Sequence, residues 1–201
     1  MIIHLLAEGL TEEVVVAKLL PFCGHELGWV YGKKGCNYIQ KKATAFMYLA
    51  KEKEGLLVLT DLCDTGAQCA QVALQRYIFN KCPHPPRTFL CQFSVNEIES
   101  WLLADREGLA SFIGVAVSKI PLHPESEARP KETLVGLARK SSMKVFREEF
   151  APSPGHMSFV GPKYSSLLHE FIRCHWDIEN AIQNAPSLER CVRRLGEIDT
   201  Y

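Results

Sequence analysis

The amino-acid sequence predicts an α/β fold in which a mainly parallel sheet of at least four strands is covered by helices, and three observations lead there. Short apolar runs of strand length recur at residues 2–6, 27–31, 56–60 and 87–93. Segments with helical spacing separate them, giving the alternation βαβαβαβ expected of parallel strands joined by crossover helices. The first and third runs end directly in carboxylates, Glu8 and Asp61, at the strand ends where such sheets carry their chemistry.

Taken in order, residues 2–6 form the first strand, and Gly9 permits a tight turn after Glu8. Thr11 is expected to cap a helix over 14–20 that stops at Pro21, with Glu12 and Glu13 in its first turn, where the helix dipole favours negative charge. Residues 27–31 form the second strand, followed by the basic turn Gly32-Lys33-Lys34-Gly35 and a helix over 38–51. The third strand, 56–60, runs into Asp61-Leu62-Cys63-Asp64, and Thr65-Gly66 leads to a helix over 67–79. After the 87–93 strand, Asn96 is expected to cap a helix over 97–104 and Asp105 a shorter one over 106–112.

Beyond this point prolines at 121, 124, 130, 152, 154, 162 and 186 punctuate helical patterns over 131–140, 143–149, 163–174 and 187–198. The organisation predicted is one domain, with an α/β core over 1–105 and a helical elaboration over 106–201. Trp176 and Phe171, with Leu167 and Leu168, read as core residues of that helical layer.

Adjacent strands of a parallel sheet are about 4.8 Å apart, so Glu8 and Asp61 at the same edge are close enough to share one cation. Unshared, two such charges repel by roughly 1 kcal/mol in water and about 4 kcal/mol at an effective dielectric near 20. The pair therefore implies a metal ion or a shared proton.

The turn Glu8-Gly9-x-Thr11-Glu12, the acidic end of the buried strand at Asp61, and the segment Asn96-Glu-Ile-Glu-Ser-Trp-Leu-Leu-Ala-Asp105 together resemble the Toprim-like proteins of domain-of-unknown-function family 4276. The likeness spans most of the chain and is weakest across 110–160. It implies a Rossmann-like Toprim fold and, by analogy with the overcoming-lysogenization-defect nucleases, magnesium- or manganese-dependent phosphodiester chemistry on nucleic acid. It also implies an ATPase partner of the kind found in phage-defence systems. By position, Glu8 corresponds to the strand-end glutamate and Asp61 to the first residue of the Asp-x-Asp motif, both catalytic. The second aspartate is replaced by Cys63, and the nearest carboxylate is Asp64, one residue further on. In an irregular turn that displacement still reaches a metal, whereas on a continuing strand it would point to the other face. Glu99 matches the family's Glu-x-Trp-Leu-Leu-Ala-Asp pattern and completes the expected metal ligands, because a carboxylate on a buried apolar helix needs a cation or a donor. Its alternative role is an N-terminal helix carboxylate satisfied by amides. Glu97, two residues away, faces another side of the helix.

Lys33 and Lys34 are the candidate substrate-binding cations, with an ordinary solvated turn as the alternative. The turn lacks the spacing and terminal Lys-Ser/Thr of a nucleotide-binding P-loop, which argues against a small-molecule phosphotransferase. Lys131, Lys140, Lys144 and Arg147 recur near helical spacing, a pattern usual for a solvated helix face.

With 23 Lys and Arg against 23 Asp and Glu, no global positive field draws the protein to nucleic acid, so such a substrate needs a local basic patch or a basic partner. No apolar run approaches the roughly 20 residues that span a bilayer, and the N-terminal residues lack the form of a signal peptide. This predicts a cytoplasmic protein without membrane association. The eight cysteines are scattered, without a Cys-x-x-Cys pair, and read as free thiols. Two classes remain: a metal-dependent nuclease, and a catalytically degraded module of the same fold that serves as a protein-binding subunit.

Overall fold

The computed structural model describes residues 1–152 and 158–198. Pro154 and the last three residues of the expected helical elaboration lie outside the described residues. The chain divides into two compact units, one of Met1–Val95 with Ser187–Tyr201, the other Asn96–Pro186.

The first unit is built on a parallel sheet whose strands are β1 (Ile2–Ala7), β2 (Glu26–Gly32), β3 (Glu54–Asp61) and β4 (Phe89–Ser94), in the order β2-β1-β3-β4. The expected α/β class is the one adopted, and every pairing is parallel. In β1, β3 and β4 nearly every residue is buried, so both faces are covered and the strands read as continuous apolar runs. Each fully buried Leu, Ile or Val contributes about 1.5–3 kcal/mol. The edge strand β2 is only partly buried.

Helix α1 (Leu10–Phe22) follows β1 and packs on β1 and β2. It starts earlier than the expected Thr11 cap, with Gly9 as N-cap, because the Glu12 carboxylate bonds back to the Gly9 N–H at 2.9 Å. Gly9 is extended, a conformation open to any residue, and a side chain there would sit 3.1 Å from Glu12 Oε2. Pro21 does not stop the helix but lies inside its last turn.

The opposite face is covered by α2 (Cys36–Lys42), its 3-10 continuation Ala43–Leu49, and α3 (Ala70–Leu74) with the wider π-helical turn Gln75–Phe79. These bury Ile39, Met47, Ala73 and Ile78 against Leu6, Leu56, Val58 and Cys91 of the sheet. The long helices expected over 38–51 and 67–79 are thus each a short α-helix that changes pitch.

Helix α4 (Glu99–Ala104), the first helix of the second unit, is buried throughout. Asn96 is not its cap: it adopts φ +63° and donates through Nδ2 to the Glu127 carbonyl at 2.5 Å. Asp105 does cap α5 (Arg106–Ile113), accepting the Gly108 N–H at 3.1 Å, and its other oxygen accepts the Asp177 N–H at 2.8 Å. Helices α6 (Pro130–Ala138), α7 (Tyr164–Cys174) and α8 (Ile178–Asn184) complete this unit, with Phe171 and Trp176 fully buried and Trp176 Nε1 donating to the Trp101 carbonyl at 3.3 Å.

The last helix, α9 (Pro186–Glu197), returns to the first unit, where the Leu195 carbonyl meets His25 Nε2 at 2.9 Å. Among the described residues no helix is long and apolar enough to cross a membrane.

Candidate functional site

From β1 the chain crosses to β2 on one side, then to β3 on the other, so the strand order reverses between the carboxyl ends of β1 and β3. In open parallel sheets such a reversal leaves a crevice that serves as the usual binding position. Ala7 pairs with Leu59, which sets Glu8 beside Thr60 and one residue from Asp61.

Glu8 is held there by its neighbours on β3. Thr60 Oγ1 donates to Glu8 Oε2 at 2.5 Å, and the Asp61 N–H points at the same oxygen from 3.4 Å. The Asp61 carboxylate turns toward β4, where Oδ1 accepts the Ser94 hydroxyl. The carboxyl group that meets that of Glu8 belongs to Asp64, within hydrogen-bonding reach. After Asp61 the chain leaves the strand through Leu62 and a single 3-10 turn, Cys63–Thr65, fixed by the Thr65 hydroxyl on the Leu62 carbonyl at 2.7 Å. That turn swings Asp64 back over the crevice and leaves the Cys63 side chain exposed.

Burial raises the Glu8 carboxyl above its ordinary value of 4.5, the Thr60 hydrogen bond pulls it down, and Asp64 pushes it up through both contact and charge. Among the described residues, no lysine or arginine forms an ion pair with Glu8 or Asp64.

Sequence reasoning did not find Cys36, the first residue of α2. Its Sγ donates to the Asp64 carbonyl at 3.4 Å, and Gln40 Nε2 donates to Sγ at 2.8 Å. Burial raises this thiol above its ordinary range, the Thr60 hydrogen bond lowers it, and the charges of Glu8 and Asp64 raise it further. No pattern in the sequence marked it: Gly35 (φ +77°) opens its helix, and the Gly35 N–H donates to the Glu8 carbonyl at 3.2 Å. Gly32 is required nearby, since at φ +92° a side chain would come within 2.3 Å of the Ala7 carbonyl oxygen.

Lys33 and Lys34 lie on this turn and are both exposed. Lys33 Nζ pairs with Glu13 Oε2 at 3.0 Å, and Lys34 Nζ sits 5.1 Å from the centre of the Tyr38 ring. A surface pair of this kind is worth about 0–1 kcal/mol, so either lysine can change partner at small cost.

Glu99 belongs to the second unit, where it is buried. Its Oε1 accepts the Tyr164 hydroxyl at 2.7 Å and lies 3.4 Å from Lys131 Nζ, which in turn sits over the Tyr164 ring. A donor and a cation thus compensate this carboxylate within its own unit. Glu97 Oε2 accepts the Lys131 N–H at 2.8 Å.

Among the described residues, no group of three or more His, Cys, Asp or Glu side chains is gathered for a metal ion. Comparison with protein-family models, with curated proteins and with solved structures finds no match.

Proposed function

We propose that the chain is a magnesium- or manganese-dependent phosphodiesterase of Toprim-like type that acts on nucleic acid in the cytoplasm. The observation that carries this reading is the meeting of the Glu8 and Asp64 carboxyls, without a basic ion-pair partner among the described residues, at the reversal point of a parallel sheet.

Glu8, Asp64 and Asp61 would hold the ion. Their donors are hard oxygens, which suit magnesium and manganese. Magnesium is commonly bound by one or two carboxylates, with water and substrate phosphate completing its shell, so a ready cluster of three ligands is not needed. When bound, the ion would supply Lewis acidity toward a phosphate oxygen and would acidify a coordinated water.

Glu8 holds or moves a proton at its carboxyl group, whose affinity burial has raised, while Thr60 and the Asp61 N–H fix the orientation of Oε2. Lys33, released from Glu13, and Lys34 bind substrate phosphate. A chain without net charge gains affinity for nucleic acid from a partner, and the resemblance supports an ATPase in that role.

A second reading is the protein-binding module. It is favoured by the absence of a gathered three-ligand group among the described residues and by Trp29, 73% exposed on the edge strand β2.

The test is cleavage of single- and double-stranded DNA and of structured RNA, with magnesium or manganese, by wild type and Glu8→Gln. Metal-dependent cleavage lost in Glu8→Gln supports the nuclease. Absence of cleavage in wild type, with the cognate partner added, supports the module.

A further inference from the structure

At the opposite edge of the sheet, outside the amino ends of the strands, the first unit contains an open cavity of about 1080 Å³. It is independent of the carboxylate crevice: β3 alone, from Glu54 to Asp61, separates the two by about 23 Å at roughly 3.3 Å per residue.

Separate pieces of backbone wall this cavity, and each brings a cation. The tight turn before β3, closed by the Lys51 N–H on the Glu54 carbonyl at 2.7 Å, carries Lys51 and Lys53. The turn before β4, closed by the Phe89 N–H on the Pro86 carbonyl at 3.0 Å, carries Arg87. The last turn of α9 carries Arg194.

The lining also includes two carboxylates, Glu52 and Glu197, so positive side chains outnumber negative ones in a chain whose overall charge is zero. Between the charged groups the wall is apolar, with Ala50, Leu90 and Ile198.

This combination selects a class of ligand. Guanidinium groups bind phosphate oxygens in a bidentate fork, and ammonium groups add point charges. The apolar wall requires that the anion carry a body able to cover it. The volume lies just above the usual range for small-molecule sites, about 300–1,000 Å³.

We propose that this cavity is a binding site for the phosphates of a nucleotide, separate from the carboxylate crevice. The chemistry recognised is a chain of phosphate charge attached to a nucleoside, offered by a free nucleoside triphosphate or by the end of a nucleic-acid strand. The site does not depend on the phosphodiesterase reading, because none of its residues belongs to the crevice.

The test is equilibrium binding to the whole protein in EDTA, so that metal at Glu8 and Asp64 contributes nothing. The probes are ATP, adenosine, and a short single-stranded oligonucleotide with a 5′ phosphate. The variants are Lys53→Glu and the double variant Arg87→Gln/Arg194→Gln. Lys53 and Arg87 are exposed, so their replacement spares the core.

Binding of ATP but not adenosine, weakened about tenfold or more in both variants and unchanged in Glu8→Gln, supports the site and assigns it to free nucleotide. The same pattern with the oligonucleotide but not ATP supports it and assigns it to a strand end. Binding of neither probe at millimolar concentration overturns the proposal, and so does binding that the variants leave intact. Failure here leaves the carboxylate crevice untouched, because cleavage is read with metal and with Glu8→Gln.

Discussion

Glu8 and Asp64, which follow different strands, meet with their carboxyl groups within hydrogen-bonding reach, and among the described residues neither forms an ion pair with a lysine or arginine. Two like charges so arranged favour whatever separates them, either a proton or a divalent cation.

Metal binding is therefore expected to stabilise the fold through this pair. At about 100 times its dissociation constant, a ligand of the folded state adds about 2.7 kcal/mol, which for a chain of this size raises the melting temperature by roughly 5 to 10 °C. Manganese should produce that shift in wild type, and both Glu8→Gln and Asp64→Asn should abolish most of it. Asp61→Asn should reduce it less, because its Oδ1 already accepts the Ser94 hydroxyl. Differential scanning fluorimetry across a manganese titration checks the order.

Without metal the same pair costs stability at neutral pH. Burial and Asp64 raise the proton affinity of Glu8 in the folded state above its value of 4.5 in the unfolded chain. The folded state thus binds more protons in the window from 4.5 up to the raised value. The linked stabilisation is complete below that window and is lost as pH rises through the raised value. Glu8→Gln keeps an acceptor for Thr60 and offers Asp64 a donor, so it should melt higher than wild type at neutral pH. The gain should be at most about 1 kcal/mol, or roughly 2 to 4 °C, and should vanish toward acid pH. Melting curves of both proteins in EDTA, compared pH by pH, measure the difference.

Asp105 contributes in the same direction, again chiefly through burial. Burial raises its carboxyl, with the N–H groups of Asp177 and Gly108 pulling it down. Both oxygens are occupied by backbone donors, so Asp105→Ala loses a helix cap and strands two N–H groups. A loss of about 2–4 kcal/mol is expected, with Asp105→Asn intermediate because an amide retains one acceptor. Urea denaturation of the two variants checks the order.

The thiols should separate by environment. Cys63, Cys69 and Cys174 are exposed, whereas burial pushes Cys91 and Cys191 up to about 12 and Cys23 up to about 11. Titration of the native protein with a thiol reagent at neutral pH should show a fast phase from the exposed group. None of the eight cysteines is in a disulfide, so denaturation without reductant should expose eight thiols.

The strands were legible because their apolar runs are continuous and both faces of the sheet are covered, and Glu8 and Asp61 were legible as residues that end such runs. Cys36 was not, because nothing in a lone cysteine after Gly35 says that its helix begins beside the strand ends. Thr11 and Asn96 misled as caps for a related reason. Glu12 reaches back to Gly9 and starts the helix earlier, and Asn96 spends its amide on the Glu127 carbonyl, which no local pattern announces. The short helix after Asp177 was missed, although Asp177 accepts the Asn180 N–H at 3.1 Å as an ordinary cap.

The return of α9 to the first unit has a consequence for synthesis on the ribosome. The second unit, Asn96–Pro186, is inserted between β4 and a helix that the first unit needs, so the sheet emerges long before its covering is complete. At 5–20 residues per second the insertion delays that helix by about 5 to 20 s. Throughout that interval His25 lacks the Leu195 carbonyl, and Leu188, Cys191 and Leu195, fully buried at the end, have not yet been added. The nascent chain thus carries an uncovered apolar face for seconds, long enough for a chaperone to bind it, and truncation before α9 should yield a species that aggregates even though all four strands are present.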